Sequence, residues 1–153
     1  MVTIIFMDGS DTGKAFVGYL RYSCLGNTKH KVSLVAAKSK INRSGGQSTP
    51  CSQLDGHTLG GRGARNITRA LQEKIEQNFM LGDSRSILHS LKAGAAPFNE
   101  WFANRLGEIY DCMATIPDTV PVTWAWLESD LNGADIASRV DASPADLGPG
   151  SVW

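Results

Sequence analysis

Three short apolar runs, each followed by a turn-forming or acidic residue, constrain the fold of this chain more than any other feature. The first spans residues 2–7 and is followed by Asp8, the second spans residues 79–82 and is followed by Asp83, and the third lies within residues 120–127. Continuous apolar runs of this length, bounded by turn residues, are typical of strands buried on both faces. Such strands belong to sheets that carry helices on both sides. The sequence therefore predicts an α/β domain.

Two more strands are predicted over residues 15–22 and 31–38, and the polar connection between them predicts a hairpin. Apolar residues at helical spacing predict four helices: one over residues 52–77, one after Asp83, one after Pro97 and a short one from Asn132. The resulting order, βββαβααβα, implies a five-stranded mixed sheet with helices on both faces.

The helix predicted over residues 52–77 contains an unusual number of glycines. Each of Gly56, Gly60, Gly61 and Gly63 costs a helix up to about 1 kcal/mol relative to alanine. We therefore expect this helix to pack closely against another element, which would compensate for that cost.

Length and composition predict one globular domain. A chain of 153 residues with 42% hydrophobic and 20% charged residues is ordinary for a soluble protein. We expect the domain to span residues 1–142, followed by an irregular, Pro/Gly-rich tail over residues 143–153. No apolar stretch approaches the ~20 residues that span a bilayer, so no membrane partner is expected.

Charge and cysteine content limit the possible functions. The net charge is zero, so electrostatics alone would give the isolated domain only a weak grip on nucleic acid. The cysteines at 24, 51 and 112 form no CxxC pair. This argues against a disulfide framework or a zinc site and favours a reducing compartment.

Four aspartates occupy positions that a metal-dependent nuclease would need. Asp8 and Asp83 follow the first two runs, Asp135 follows the third across a polar turn, and Asp55 opens the long segment between the first two. Carboxylates at the carboxyl ends of neighbouring strands can converge on one point. Four of them would repel one another strongly unless divalent cations lay between them.

Each aspartate also has an ordinary structural explanation when taken singly. Asp8 could be a turn residue, Asp83 a helix N-cap, Asp55 an acid in a first helical turn, and Asp135 a partner of Asn132 in a capping box. Taken together, at predicted strand ends, they favour the metal site.

Another candidate site is the triplet Asp11-Thr12-Gly13, which matches the active-site triplet of aspartic proteases. It lies within a polar run and not after a strand, so a hairpin turn is the better interpretation.

Several sequence blocks resemble successive blocks of the ribonuclease H domain in the polyproteins of Pao/BEL-type LTR retrotransposons. The resemblance covers nearly the whole chain, and its blocks come in the family's order. The blocks are Asp8-Gly9-Ser10, residues 16–21, 36–40, 51–55, Gly82-Asp83-Ser84, and residues 104–109, 132–139 and 147–153.

This resemblance implies a fold and an activity. The fold would be the ribonuclease H-like sheet with strand order 3-2-1-4-5. The activity would be hydrolysis of the RNA strand of an RNA/DNA hybrid, with a reverse transcriptase module of the same polyprotein as partner. The protein would act in the cytoplasm, inside a virus-like particle, or in the nucleus.

The resemblance also implies that the four aspartates hold two Mg²⁺ ions, with Mn²⁺ as a possible substitute. Asp8 would bridge both ions, Asp55 and Asp83 would complete the site nearer the leaving group, and Asp135 would help to hold the ion that activates water. Two cations suit in-line displacement at a phosphodiester, and oxygen ligands suit Mg²⁺ or Mn²⁺.

One position departs from the family pattern, because the second acid is normally glutamate and is Asp55 here. The shorter side chain leaves open a catalytically decayed copy that serves as a tether or nucleic-acid-binding module. A DDE-type integrase core is a further alternative. In an integrase, however, the last of the three acids lies on a helix and follows the second acid at a shorter distance than the one from Asp83 to Asp135 here. Asp135 instead follows a fifth strand.

Substrate contacts are expected around the metals, since a hybrid is recognised through sugar hydroxyls and groove shape. Arg139 is also i+4 from Asp135, so a structural ion pair explains it equally well. The candidates are Gly9, Ser10, Ser52, Gln53, Arg85, Asn104, Arg105 and Arg139.

Overall fold

A computed structural model describes residues 1–23, 29–42, 47–71, 74–94, 98–139, 141 and 143–148. The strands are β1 (Val2–Gly9), β2 (Gly13–Ser23), β3 (His30–Ile41), β4 (Gln77–Gly82) and β5 (Val122–Trp126). The helices are α1 (Thr49–Leu71), α2 (Arg85–Ala93), α3 (Glu100–Ala114) and α4 (Gly133–Ser138). Short 3₁₀ turns lie at Ser129–Leu131 and Pro144–Leu147.

The sheet has five strands in the order β3-β2-β1-β4-β5. β2 pairs antiparallel with both β1 and β3, whereas β4 pairs parallel with both β1 and β5. The predicted sheet and its strand order are therefore confirmed. The hairpin between β1 and β2 places Asp8 opposite Ala15 and Gly9 opposite Lys14.

Helices cover both faces of the sheet, as predicted. Successive side chains of β1 point to opposite faces, and each face packs into its own apolar cluster. Ile5 and Met7 pack with Leu59 of α1 on one face. Phe6 packs with Ala134 and the rest of a second cluster on the other face, which α4 covers. Helix α3 lies outside α1. The carboxyl end of β1 therefore lies between α1 on one face and α4 on the other.

Helix α1 ends at Leu71, earlier than predicted, and β4 begins at Gln77, two residues before the apolar run. The reason is a buried polar pair between strands. The Thr3 hydroxyl donates to the Asn78 side chain, and Asn78 is fully buried. Satisfied polar groups can extend a buried strand, but an apolar pattern does not reveal them. The predicted start of the third helix at Pro97 lies outside the described residues, and α3 begins after the N-cap Asn99.

The glycines of α1 lie close to the sheet, as expected. A Cβ added to Gly56 would lie 2.1 Å from the carbonyl oxygen of Asp8, and one added to Gly60 would lie 2.3 Å from Cγ of Met7. Gly61 differs, because it faces α3 with ordinary spacing. The missing side chains let the helix approach the end of β1 that carries Asp8.

The described part of the predicted tail, residues 143–148, contains a 3₁₀ turn that the prediction of an irregular segment did not include. Ser143 and Asp146 form a capping box at the 3₁₀ turn Pro144–Leu147. Leu147 is buried in the cluster that α4 covers, and the Tyr19 hydroxyl donates to its carbonyl at 3.0 Å. A single apolar side chain in a Pro/Gly-rich stretch is enough to dock it. Residues 149–153 lie outside the described residues.

None of the helices in the described segments is both long and apolar enough to cross a membrane.

Candidate active site

Asp8 lies at the end of β1, and its side chain is turned towards α4. It is 6% exposed, and the Ser138 hydroxyl of α4 donates to its Oδ2 at 2.8 Å. Burial raises the pKa of the Asp8 carboxyl above its ordinary value, and the nearby carboxylates of Asp83 and Asp135 raise it further. Hydrogen bonds from Ser138 and the Gly9 backbone oppose this rise. Two of the other predicted acids, Asp83 and Asp135, are therefore within electrostatic reach of Asp8.

Asp83 follows β4, the strand parallel to β1. The Ser129 hydroxyl donates to its Oδ2 at 2.8 Å, and the Trp126 indole donates to its carbonyl at 2.9 Å. Its other carboxylate oxygen, Oδ1, is buried and has no hydrogen-bond partner among the described residues. A buried carboxylate oxygen without a partner is costly, and a cation would remove that cost. The N-cap of α2 is Ser84 and not Asp83, because the Ser84 hydroxyl accepts from Ile87 N.

Asp135 lies in the first turn of α4, which Asn132 anchors to β1. Asn132 is 1% exposed; its Nδ2 donates to the carbonyl of Met7 at 3.0 Å, and its Oδ1 accepts from Ala134 N at 3.2 Å. Arg139 pairs with the Asp135 carboxylate one turn later, so the structural ion pair expected as an alternative is present. The anchor at Asn132 sets the position of Asp135 relative to Asp8.

Asn132→Ala is expected to lower the free energy of unfolding by about 2 kcal/mol, because it leaves the Met7 carbonyl and the Ala134 N–H without buried partners. Urea denaturation measures this loss. Asn104→Ala, at an exposed position of α3, is the matched control and is expected to shift stability by less than about 0.7 kcal/mol, in the stabilising direction. Equal effects of the two changes would contradict the anchoring role.

Asp55 lies on α1 on the opposite side of the sheet from Ser138 and is surrounded by cations. Lys14 of β2 donates to its Oδ2, Gln47 donates to the same oxygen at 3.0 Å, and Nε of Arg105 lies 2.9 Å from Oδ1. Burial raises the pKa of Asp55, but hydrogen bonds from Lys14 and Gln47 and the charges of Lys14 and Arg105 outweigh it. The pKa is therefore held below its ordinary value. This carboxylate is already neutralised by the protein.

Ser138 and Lys14, the partners of Asp8 and Asp55, were not among the residues predicted from the sequence. Both could have been found. Ser138 is i+3 from Asp135, on the same face of the last helix. The hairpin turn at residues 10–13, which the sequence favoured over a protease site, sets Lys14 opposite Gly9.

The donor set at the end of β1 and β4 suits one hard cation. The Oδ1 of Asp83, which has no partner among the described residues, and the repulsion of Asp8 by Asp83 and Asp135 both favour a divalent ion with oxygen ligands. Asp55 does not fit, since both of its oxygens already face cations. Within the described ranges, no group of three or more His, Cys, Asp or Glu side chains is arranged so that it could hold a metal ion by itself.

Some predicted substrate contacts border this site. Gly9 packs tightly on α1, where a Cβ would lie 2.2 Å from the backbone of Ser52, and Ser10 forms the hairpin turn. The Gln53 carbonyl lies 2.8 Å from Nδ1 of the buried His57. The Ser52 hydroxyl is fully buried and donates to the Gly13 carbonyl at 3.3 Å. For Ser52 we therefore replace the predicted substrate contact by a structural link between turn and helix.

The other predicted contacts lie on helices around the site. Arg85 is exposed at the start of α2, with its guanidinium 4.1 Å from the centre of the Trp126 ring. Asn104 is exposed on α3, next to the half-buried Arg105. Arg139 is exposed at the end of α4. These side chains remain predicted substrate contacts.

The strand order and the helices on both faces define a ribonuclease H-like fold, which solved structures share. The N-terminal ribonuclease H domain of a Mycobacterium tuberculosis protein is 12% identical, with a TM-score of 0.65 and 90% of each chain covered. LC11-RNase H1, solved in complex with an RNA/DNA hybrid, is 13% identical, with a TM-score of 0.62, covering 87% of this chain and 91% of that one. The foamy viral protease-reverse transcriptase, solved with double-stranded DNA, is 10% identical, with a TM-score of 0.55, covering 99% and 93%.

The chain belongs to the family described as the Pao retrotransposon-like RNaseH-like domain, whose model matches residues 1–84. The matched region contains Asp8, Asp55 and Asp83. No curated protein sequence matches the chain.

Proposed function

We propose that this chain is the metal-dependent ribonuclease H of a retroelement polyprotein and cleaves the RNA strand of RNA/DNA hybrids. The observation that carries this proposal is the acidic group of Asp8 at the end of β1, with Asp83 after β4 and Asp135 on α4 within its electrostatic reach, and with Oδ1 of Asp83 buried without a partner among the described residues. Membership of the Pao retrotransposon-like family supports the retroelement origin. The hybrid bound by LC11-RNase H1 supports the substrate class.

Each residue of the group has a role set by its surroundings. Ser138 and the Gly9 backbone orient Asp8, Ser129 orients Asp83, and α4 carries Asp135. A bound divalent cation would supply an activated water and neutralise charge on the leaving oxygen. The water would attack phosphorus, and the bond from phosphorus to the 3′ oxygen would break. The products would be a 3′-hydroxyl and a 5′-phosphate, with no covalent enzyme intermediate.

Hybrid binding would depend on a partner, because a chain with zero net charge gains little from counterion release. A reverse transcriptase module of the same polyprotein would supply much of the affinity. The exposed Arg85, beside Asp83, and Asn104 on α3 would contact the hybrid within this domain.

A second candidate function is a non-catalytic tether, and the neutralised Asp55 is the observation that favours it. A labelled RNA/DNA hybrid, incubated with the purified domain in Mg²⁺ and then in Mn²⁺, separates the two functions. We expect cleavage by the wild type and by Asp118→Asn, a control at an exposed turn, and none by Asp83→Asn. A folded wild type that cleaves nothing in either metal would support the tether.

A further inference from the structure

Asp55 is held between two cations that approach it from different elements. Lys14 of β2 reaches Oδ2, and Arg105 of α3 lies against Oδ1. The side chains of Lys14 and Asp55 are only 14% and 11% exposed. Both carboxylate oxygens are thus occupied in a region largely shielded from water.

Further contacts hold these two cations in place. Nζ of Lys14 also donates to Oε1 of Gln47 at 3.2 Å. Arg105 also pairs with Glu108 at 3.2 Å, and Glu108 pairs with Arg62 of α1. The network contains three cations and two carboxylates, so it keeps a net positive charge beside the acidic group of Asp8, Asp83 and Asp135.

We propose that Asp55 is a positioning residue and not a metal ligand: it holds Lys14 and Arg105, and the ammonium group of Lys14 takes the place of a second metal ion. This inference rests on the proposed function, and it replaces the two metal ions that the family resemblance implies by one. The single cation is held by Asp8 and Asp83, with Asp135 beside them.

Electrostatics decide between the two carboxylate environments. A divalent ion that approached Asp55 would meet two cations at contact distance, and displacing Lys14 would leave a largely buried ammonium group without its counter-charge. An ion that approached Asp8 and Asp83 would relieve the repulsion between carboxylates and give the buried Oδ1 of Asp83 a partner. The single ion therefore binds on the Asp83 side.

Lys14 is placed to act on the substrate. It lies directly across the hairpin from Gly9, the residue after Asp8, so its ammonium group lies at the same end of the sheet as the acidic group. A fixed cation at this point would bind a phosphate of the RNA strand and offset its charge. Asp55 limits the movement of that cation.

The first test counts ions on the protein alone. Titration with Mn²⁺, followed by calorimetry and by electron paramagnetic resonance of free Mn²⁺, is expected to give one ion per wild-type chain. Asp55→Asn and the control Asp118→Asn are expected to keep the dissociation constant within about threefold, whereas Asp83→Asn weakens it more than tenfold. Two ions per chain, one of them lost in Asp55→Asn, would overturn the inference and leave the nuclease function intact. Failure of the folded wild type to bind any Mn²⁺, together with no cleavage of the hybrid in Mg²⁺ or Mn²⁺, would overturn both.

A second test covers an ion that enters only with substrate. The Mg²⁺ concentration for half-maximal cleavage of the hybrid is expected to stay within threefold in Asp55→Asn, and a tenfold rise would show that Asp55 is a ligand after all. In EDTA, Lys14→Gln is expected to weaken hybrid binding about threefold or more and to lower its salt dependence by about one counterion. Unchanged binding would remove Lys14 from the phosphate contact and overturn the inference.

Discussion

Replacing Asp8 by asparagine is expected to abolish cleavage of the RNA/DNA hybrid and, in the absence of metal, to raise the melting temperature. The rate should fall by roughly 1000-fold, equivalent to about 4 kcal/mol of activation free energy, because the carboxylate that would hold the divalent ion together with Asp83 is lost. The folded state becomes more stable without metal, because a buried charge that two other carboxylates repel is replaced by a neutral amide. The amide keeps an oxygen that accepts from the Ser138 hydroxyl.

The pH dependence of this gain identifies its cause. Burial, with Asp83 and Asp135, raises the pKa of Asp8 in the folded state, so the folded protein binds this proton more tightly than the unfolded chain does. The stabilisation that protonated Asp8 brings is present below the unfolded pKa of about 3.9 and is lost as pH rises through the folded pKa. The advantage of Asp8→Asn should therefore grow with pH over that interval.

Calorimetric melting in EDTA at a series of pH values measures this difference. Asp118→Asn, at an exposed turn, serves as the control and is expected to follow the wild type at every pH. A melting temperature that falls in Asp8→Asn at neutral pH would mean that the carboxylate stabilises the fold, contrary to the arrangement of the three acids.

The second large effect concerns Gly56, where α1 touches β1. A Cβ on Gly56 would lie 2.1 Å from the carbonyl oxygen of Asp8 and 2.7 Å from its carbonyl carbon. Both atoms are backbone of a strand paired on two sides, so the helix has to move. Gly56→Ala is expected to lower the free energy of unfolding by about 3 kcal/mol, the upper end of overpacking costs. Urea denaturation measures this loss.

Gly61 of the same helix offers the matched control. The nearest atom to an added Cβ there is 3.7 Å away, so the space exists. Gly61→Ala is expected to raise stability by up to about 1 kcal/mol through helix propensity alone. If both alanines stabilised the protein, the close contact between α1 and the end of β1 would be disproved.

The sequence alone allowed a correct prediction of the sheet, because short apolar runs with turn residues between them mark the strands. The cap of the last helix at Asn132 was equally readable, since an N-cap is a local signal. The predicted positions of Asp8 and Asp83 at strand ends also agree with the structure. These features all depend on residues close together in the chain.

Features that depend on residues far apart in the chain were not predicted from the sequence. The ion pairs of Asp55 join residues from β2, α1 and α3, and no local pattern links Lys14 to Arg105. The early start of β4 depends on the buried pair Thr3–Asn78, which an apolar pattern treats as a break. The docking of Leu147 depends on a surface that other elements build. In each case a tertiary contact satisfies a group that sequence reasoning treats as exposed.

The anchoring of α4 by Asn132 has a consequence for the timing of assembly. During synthesis, β1 and β4 leave the ribosome long before residues 133–138, so the apolar surface around Phe6 stays open to solvent until the last helix emerges. The same docking event covers that surface and brings Asp135 and Ser138 to Asp8. A nascent or truncated chain that lacks α4 would therefore expose this apolar surface and be prone to aggregate. It would also lack the complete acidic group, so the proposed activity would depend on the same docking step that protects the chain from aggregation.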